Sequence, residues 1–91
     1  MSEKNFGFLG ASFQQTLLKA IIENKKYGEQ IIDVIEHKYF DNTSFRYITT
    51  HIKEYYKKYN RIPDYQSLSQ TIVMDYGSQE LARVHLDTIQ D

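Results

Sequence analysis

The 91-residue chain contains no cysteine and no tryptophan, and Pro63 is its single proline. Without cysteine, disulfide bonds and thiolate metal sites are excluded, and nothing in the composition indicates an oxidising compartment. A chain of this length holds one domain, which must be stabilised by a single hydrophobic core. We therefore expect one small domain, located in the cytoplasm and held together by side-chain packing alone.

The sequence also lacks long apolar runs and an excess of charge of one sign. No run approaches the roughly 18 residues that a membrane-spanning helix needs, and the first ten residues do not resemble a signal peptide. We expect no membrane contact. Eleven basic and twelve acidic residues give a net charge of −1. Because this charge provides no overall attraction for a nucleic-acid backbone, any such contact has to be local.

Motifs for catalysis and for cofactor binding are missing as well. None of the four glycines stands in a phosphate-binding loop beside a lysine. The GxxG spacing of residues 7–10 is found in some RNA-binding loops, but here it lies in an N-terminal arm. His37, His51 and His85 fall on separate predicted helices, and the carboxylates fall mainly on solvent faces. We expect no enzyme activity, metal site or cofactor in this chain.

Apolar residues repeat at helical spacing along most of the chain, which predicts an all-α fold, a compact orthogonal bundle of about five helices. Residues 1–11 are expected to form a flexible arm, and residues 12–91 the folded domain. The predicted helices span about 12–25, 27–37, 45–59, 65–76 and 78 to the C-terminus. Since Asp91 falls inside the last helical pattern without a glycine or proline stop, we expect the polypeptide to be part of a longer protein.

Capping residues predict where these helices begin and end. Ser12 and Gln15 match a capping box, and residues 41–44 and Asp64 offer side-chain oxygens for N-caps. Residues 60–63 should break the third helix, and Gly77 should close the fourth. Asn24 and Gly28 bracket the break that we expect between the first two helices.

The inward faces of the predicted helices define a candidate core. Its main residues are Phe13, Leu17, Ile21, Ile31, Phe40, Phe45, Ile48, Ile52 and Leu68. The last helix is expected to add Leu81, Ala82, Leu86 and Ile89. This pattern of apolar stripes opposite polar faces is typical of half-buried helices.

Tyrosine is abundant, with eight residues among an aromatic content of 14%. Tyrosine suits surfaces that are half buried against a partner. The stretch 53–61 combines tyrosines with basic residues, and the candidate partner or nucleic-acid contacts are Lys53, Tyr55, Tyr56, Lys57, Tyr59 and Arg61. The alternative is structural, with tyrosines covering the edge of the core and lysine stems packing over them. A protein interface and nucleic-acid stacking are the two functional hypotheses.

Three segments of the chain resemble the N-terminal domain of DnaB-family replicative DNA helicases, most closely their divergent phage branch. The segments are residues 15–22, the pair Tyr39-Phe40, and residues 45–48 leading to 62–68. In such domains the Tyr-Phe pair follows the second helix and fills the core before the third. Lys19-Ala20 stand where the family usually has a glycine after its paired leucines, which is a departure from the pattern.

The resemblance implies a collar domain of a hexameric, ATP-driven helicase in a bacterial cell or phage-infected host. ATP and magnesium, and contact with DNA, would belong to the full-length parent and its separate motor domain. The domain would self-associate, although only weakly without the helical hairpin that would begin beyond Asp91, and would dock a primase or a helicase loader. A stand-alone helical adaptor and a small single-strand nucleic-acid-binding protein remain as alternatives.

Overall fold

The computed structural model describes residues 10–89, except for the side chain of Ala11. Over these residues the chain forms five α-helices and one short 3-10 helix, and no strand. The α-helices are α1 (Gly10–Glu23), α2 (Lys25–Ile31), α3 (Thr43–Tyr59), α4 (Tyr65–Tyr76) and α5 (Gln79–Leu86), and the 3-10 helix (His37–Tyr39) precedes α3. The predicted all-α bundle of about five helices is confirmed. None of the helices in this range combines the length and apolar character needed to cross a membrane.

Capping side chains begin the later helices at the predicted places. Asn42, Asp64 and Ser78 each accept hydrogen bonds from backbone N–H groups in the first turn of α3, α4 and α5. Asn60 and Gly77 end α3 and α4 in the left-handed conformation, with φ of 59° and 71°. The N–H groups of Asn60 and Gly77 donate to the carbonyls of Tyr56 and Val73 in the last turn of each helix.

The first helix begins earlier than predicted. α1 starts at Gly10, which has a φ of 89°, so Ser12 lies within α1 and is not its N-cap. A φ of 89° is strained for a residue with a Cβ, so glycine suits this first position of α1. A flexible arm was predicted for residues 1–11. Residues 1–9 lie outside the described part of the chain, and residues 10 and 11 belong to α1.

α2 ends at Ile31, although the sequence pattern predicts helix to about His37. Residues 32–34 form a turn, and residue 36 is extended with φ −127° and ψ 151°. The cause lies on α3, where Lys53 Nζ donates to the carbonyls of Ile32 at 2.9 Å and Ile35 at 2.7 Å. Because a remote ammonium satisfies these carbonyls, the chain can leave the helix here without burying unpaired acceptors.

Gly28 lies inside α2 and does not mark the break before it. A Cβ added to Gly28 would stand 2.5 Å from the carbonyl oxygen of Ile21 on α1. The two helices therefore approach each other more closely than any side chain would permit. The break itself falls at Asn24, whose side chain caps α2 by accepting from the N–H of Tyr27.

The buried core contains most of the predicted residues. Ile21, Phe40, Phe45, Ile48, Ile52 and Leu68 are buried, while Leu17 and Ile31 are partly buried at its edge. Phe40 is 0% exposed, and its ring meets that of Phe45 edge-on with centroids 6.4 Å apart. Ala82, Leu86 and Ile89 are buried as expected.

Two predicted core residues are exposed. Phe13 is 40% exposed, because the face of α1 that packs against the core carries Gln14, Leu18 and Ile21. Leu81 is 55% exposed, because the buried face of α5 carries Ala82 and Leu86 and does not include Leu81. Both predictions were wrong because helical spacing alone does not fix how a helix is rotated about its axis.

Gln14 is a buried polar residue to which the sequence pattern assigned no role. Its Nε2 donates to Asp41 Oδ1 at 3.0 Å, and its Oε1 accepts from the N–H of Asp41 at 3.3 Å. The two bonds tie α1 to the segment that leads into α3. They satisfy an amide that would otherwise be costly to bury.

Candidate protein-docking groove

The basic and aromatic stretch at the end of α3 divides into structural and exposed residues. Lys53 uses its ammonium to bond the carbonyls of residues 32 and 35, and Tyr56 packs against the core. These two side chains therefore take the structural role that the sequence left open. Lys57 and Arg61 are exposed.

Tyr55 and Tyr59 form an aromatic pair on the surface of α3. Their ring centroids are 4.6 Å apart with an interplanar angle of 48°. Lys58 Nζ lies 5.3 Å from the centroid of the Tyr59 ring, close enough for a cation–π interaction. Since Tyr59 remains 49% exposed, the pair presents apolar surface together with a positive charge.

A groove follows α3 beside α4, and we call it the α3–α4 groove. Near Tyr59 it is a depression of about 210 Å³, lined by His51, Glu54, Tyr55, Lys58, Tyr59 and Thr71. Toward the start of α3 it widens to about 450 Å³, lined by Thr43, Arg46, Tyr47, Thr50, His51, Glu54 and Asp75. His51 and Glu54 line both parts, so the two depressions adjoin. From residue 43 to residue 59 the groove follows α3 for about 24 Å, at 1.5 Å per residue.

A second cleft, of about 380 Å³, involves the turn that follows α2 and shares Glu54 with the α3–α4 groove. It is lined by Ile32, Asp33, Lys53, Glu54, Tyr56, Lys57 and Asn60. Lys57 lines this cleft, whereas Tyr55 and Tyr59 line the α3–α4 groove. The predicted contact residues are therefore divided between two neighbouring depressions.

The floor of the α3–α4 groove contains a small polar network. The Tyr47 hydroxyl donates to Asp75 Oδ2, and His51 Nε2 lies 3.7 Å from the same oxygen. Burial, followed by the hydrogen bond to Asp75, raises the pKa of Tyr47 well above its ordinary value. Tyr47 therefore stays a neutral donor, and Asp75 serves two partners on α3.

The side chains of the groove carry charges of both signs. Arg46 and Lys58 are basic, and Glu54 and Asp75 are acidic. Arg46 is also structural, because its Nε donates to the carbonyl of Phe40 at 2.6 Å. Such a mixed surface favours a partner that presents both acidic and basic groups.

Behind this network, His85 of α5 lies between α3 and α4. Its Nδ1 is 2.8 Å from Ser44 Oγ, its Nε2 contacts the Tyr76 hydroxyl, and its ring stacks on Tyr47 with centroids 4.5 Å apart. Burial, and then the nearby His51, lowers the pKa of His85 below its ordinary value. The sequence placed these histidines on separate helices, and the fold brings both against Tyr47.

No local signal could have identified this cluster, because Ser44 and His85 are 41 residues apart. The third histidine, His37, is exposed in the 3-10 helix. In the part of the chain that the structure describes, no group of three or more His, Asp or Glu side chains is placed to hold a metal ion.

No protein-family model, curated protein or solved structure matches the chain. The relation to DnaB-family helicases rests on the three sequence segments described above and stays a prediction.

Proposed function

We propose that this chain is a non-catalytic protein-docking domain whose partner binds in the α3–α4 groove. The main observation behind the proposal is that this groove continues to the pair of Tyr55, which is half-buried, and Tyr59, which is exposed. Tyrosines in such positions commonly act as interface hot spots, because they bury large apolar areas and keep a hydroxyl for hydrogen bonding.

The dimensions of the groove fit one secondary-structure element of a partner. A length of about 24 Å accommodates a helix of about 16 residues or an extended segment of about 7 residues. We propose a helical segment, because a groove along the solvent-facing side of α3 matches the helix-in-groove mode of peptide recognition.

The charges favour a protein partner over nucleic acid. A phosphate backbone in the groove would meet Glu54 and Asp75, which repel it. Outside the groove, Lys57 and Arg61 are exposed and support only a few phosphate contacts, which salt would remove. A protein segment can complement both signs of charge, and its apolar contacts change little with moderate salt.

We further propose that the parent protein is a DnaB-type replicative helicase in the cytoplasm of a bacterial or phage-infected cell. In this proposal the domain contributes to the hexameric ring, and its docking partner is a primase or a helicase loader. ATP and magnesium would be bound by the motor domain of the parent. Two features support the proposal: the all-α fold, and the burial of Phe40 at the position where the resemblance places a core-filling residue.

Fluorescence anisotropy can test the docking proposal with the labelled chain and the purified primase and loader encoded in the same genome. We expect saturable binding of at least one of them, weakened tenfold or more by the double substitution Tyr55→Ala, Tyr59→Ala. Val34→Ala removes an exposed apolar side chain that does not line the groove, and it should leave the affinity unchanged. Circular dichroism would verify that each variant is folded.

Other outcomes would contradict the proposal. If neither protein binds the folded chain, the helicase assignment fails. If single-stranded DNA binds tightly with a steep salt dependence that Lys57→Glu and Lys58→Glu abolish, the chain is a nucleic-acid-binding protein instead.

A further inference from the structure

His85 occupies a junction where three helices meet. It is 8% exposed and approaches Ser44 of α3 and Tyr76 of α4 through its two ring nitrogens. The Tyr47 ring covers one face of the imidazole at an interplanar angle of 27°. Besides the buried Ala82 and Leu86, a single titratable side chain thus joins α5 to both neighbouring helices.

The hydrogen bonds of this junction suit a neutral imidazole. A neutral ring donates from one nitrogen and accepts at the other, and the Ser44 and Tyr76 hydroxyls can fill the two complementary roles. A protonated ring donates from both nitrogens, so the hydroxyl that had donated to it must turn its hydrogen elsewhere. The charged ring would also lose its hydration in a site that is nearly closed to water.

The charged groups around the junction do not compensate for this cost. On α3, His51 lies beyond Tyr47, with ring centroids 4.4 Å apart, and acts on His85 as a like charge when protonated. On α4, Asp75 is engaged by Tyr47 and His51. On α5 itself, Arg83 and Asp87 are exposed and act on Tyr65 with opposite signs.

We propose that the junction of Ser44, Tyr47, Tyr76 and His85 is a proton-sensitive latch, closed when His85 is neutral and loosened when His85 is protonated. In the loosened state α5 separates from α3 and α4, while α1, α2 and α3 keep their packing. This regulatory device is independent of the docking proposal, because it concerns the attachment of α5 and requires no partner.

The direction of the pH effect follows from linkage. When α5 opens, His85 returns to its ordinary pKa of about 6.5, which is above its pKa in the closed junction. The closed form is therefore fully favoured above about pH 7.5 and loses stability as the pH falls through 6.5. The loss stops once the pH is below the pKa of the closed form, since both states are then protonated.

Amide hydrogen exchange, corrected for its intrinsic pH dependence, can test the latch between pH 7.5 and 5.5. We expect the protection of α5 to fall over this range by up to about tenfold, the most that an open-state pKa of about 6.5 allows at pH 5.5, while protection at Ile21 and Ile22 of α1 changes less. His85→Gln should remove this pH dependence, whereas His37→Gln, a substitution at an exposed histidine, should preserve it.

An NMR titration of the His85 ring in the unaltered protein supplies a second measurement if His85→Gln does not fold. The latch requires that the ring titrate below pH 6.5 and that the loss of α5 protection follow the same titration. A ring pKa at or above 6.5, α5 protection that is independent of pH, or equal losses in α1 and α5 would each overturn the proposal.

Discussion

Replacing Phe40 by alanine tests whether this residue fills the core as the sequence predicts. Its side chain is 0% exposed and packs edge-on against Phe45. The backbone around it is held in place, because the Phe40 carbonyl accepts from Arg46 Nε and its N–H bonds the carbonyl of His37. The cavity left by the ring would therefore collapse only partly.

The expected loss follows from this geometry. Phe→Ala substitutions in cores cost about 3 to 5 kcal/mol, and a site that cannot collapse lies toward the upper value. A domain of 91 residues has a total stability of about 5 to 14 kcal/mol, at roughly 0.05 to 0.15 kcal/mol per residue. The substitution should therefore remove a third or more of the stability and lower the melting temperature by roughly 15 °C or more.

Urea unfolding followed by circular dichroism would measure this loss, with Phe13→Ala as the matched control. Phe13 is 40% exposed, so the same change of side chain should cost about 1 kcal/mol or less. Tyr56→Ala, at the edge of the core, should fall between the two. Equal losses for Phe40→Ala and Phe13→Ala would refute the assignment of the core.

Three further predictions concern helix ends and helix contacts. Lys53→Met should cost about 1.5 to 3 kcal/mol in thermal unfolding because two carbonyls lose a charged donor, whereas Lys57→Met should change stability by less than about 0.5 kcal/mol. Gly28→Ala should destabilise by about 1 to 3 kcal/mol, because its Cβ would collide with the α1 backbone; stability equal to that of the unaltered chain would show that the helices can move apart. Asp64→Ala should cost about 1 kcal/mol at pH 7 by removing the α4 cap. The hydrogen bond from the Ser67 N–H lowers the pKa of Asp64. The carboxylate therefore contributes fully to folding stability above its ordinary pKa of 3.8, and acid unfolding should show this contribution vanish as the pH falls through the lowered pKa.

The later helix borders could be predicted because their determinants are local. Asn42, Asp64, Gly77 and Ser78 act within one turn of the helix end that each one sets, so the residue types reveal the border. The end of α2 could not be predicted, because its determinant, Lys53, lies 18 and 21 residues away from the two carbonyls that it bonds.

The candidate site was only partly accessible from the sequence. The Tyr55 and Tyr59 pair follows from i, i+4 spacing on one helix, and the exposure of Tyr59 agrees with a surface role. The remainder of the groove depends on how α4 and α5 pack on α3. The contacts of Tyr47 with Asp75 and of Ser44 with His85 join residues 28 and 41 positions apart, beyond the reach of any periodicity.

The bonds from Lys53 to the turn after α2 also bear on the order in which the chain folds. A segment containing only α1 and α2 lacks the ammonium that satisfies the carbonyls of Ile32 and Ile35, and its local pattern favours continuing the helix toward His37. During synthesis this part of the chain emerges before α3 and can extend α2 beyond its final end. We therefore expect the native end of α2 to form together with the packing of α3, when Lys53 reaches the two carbonyls.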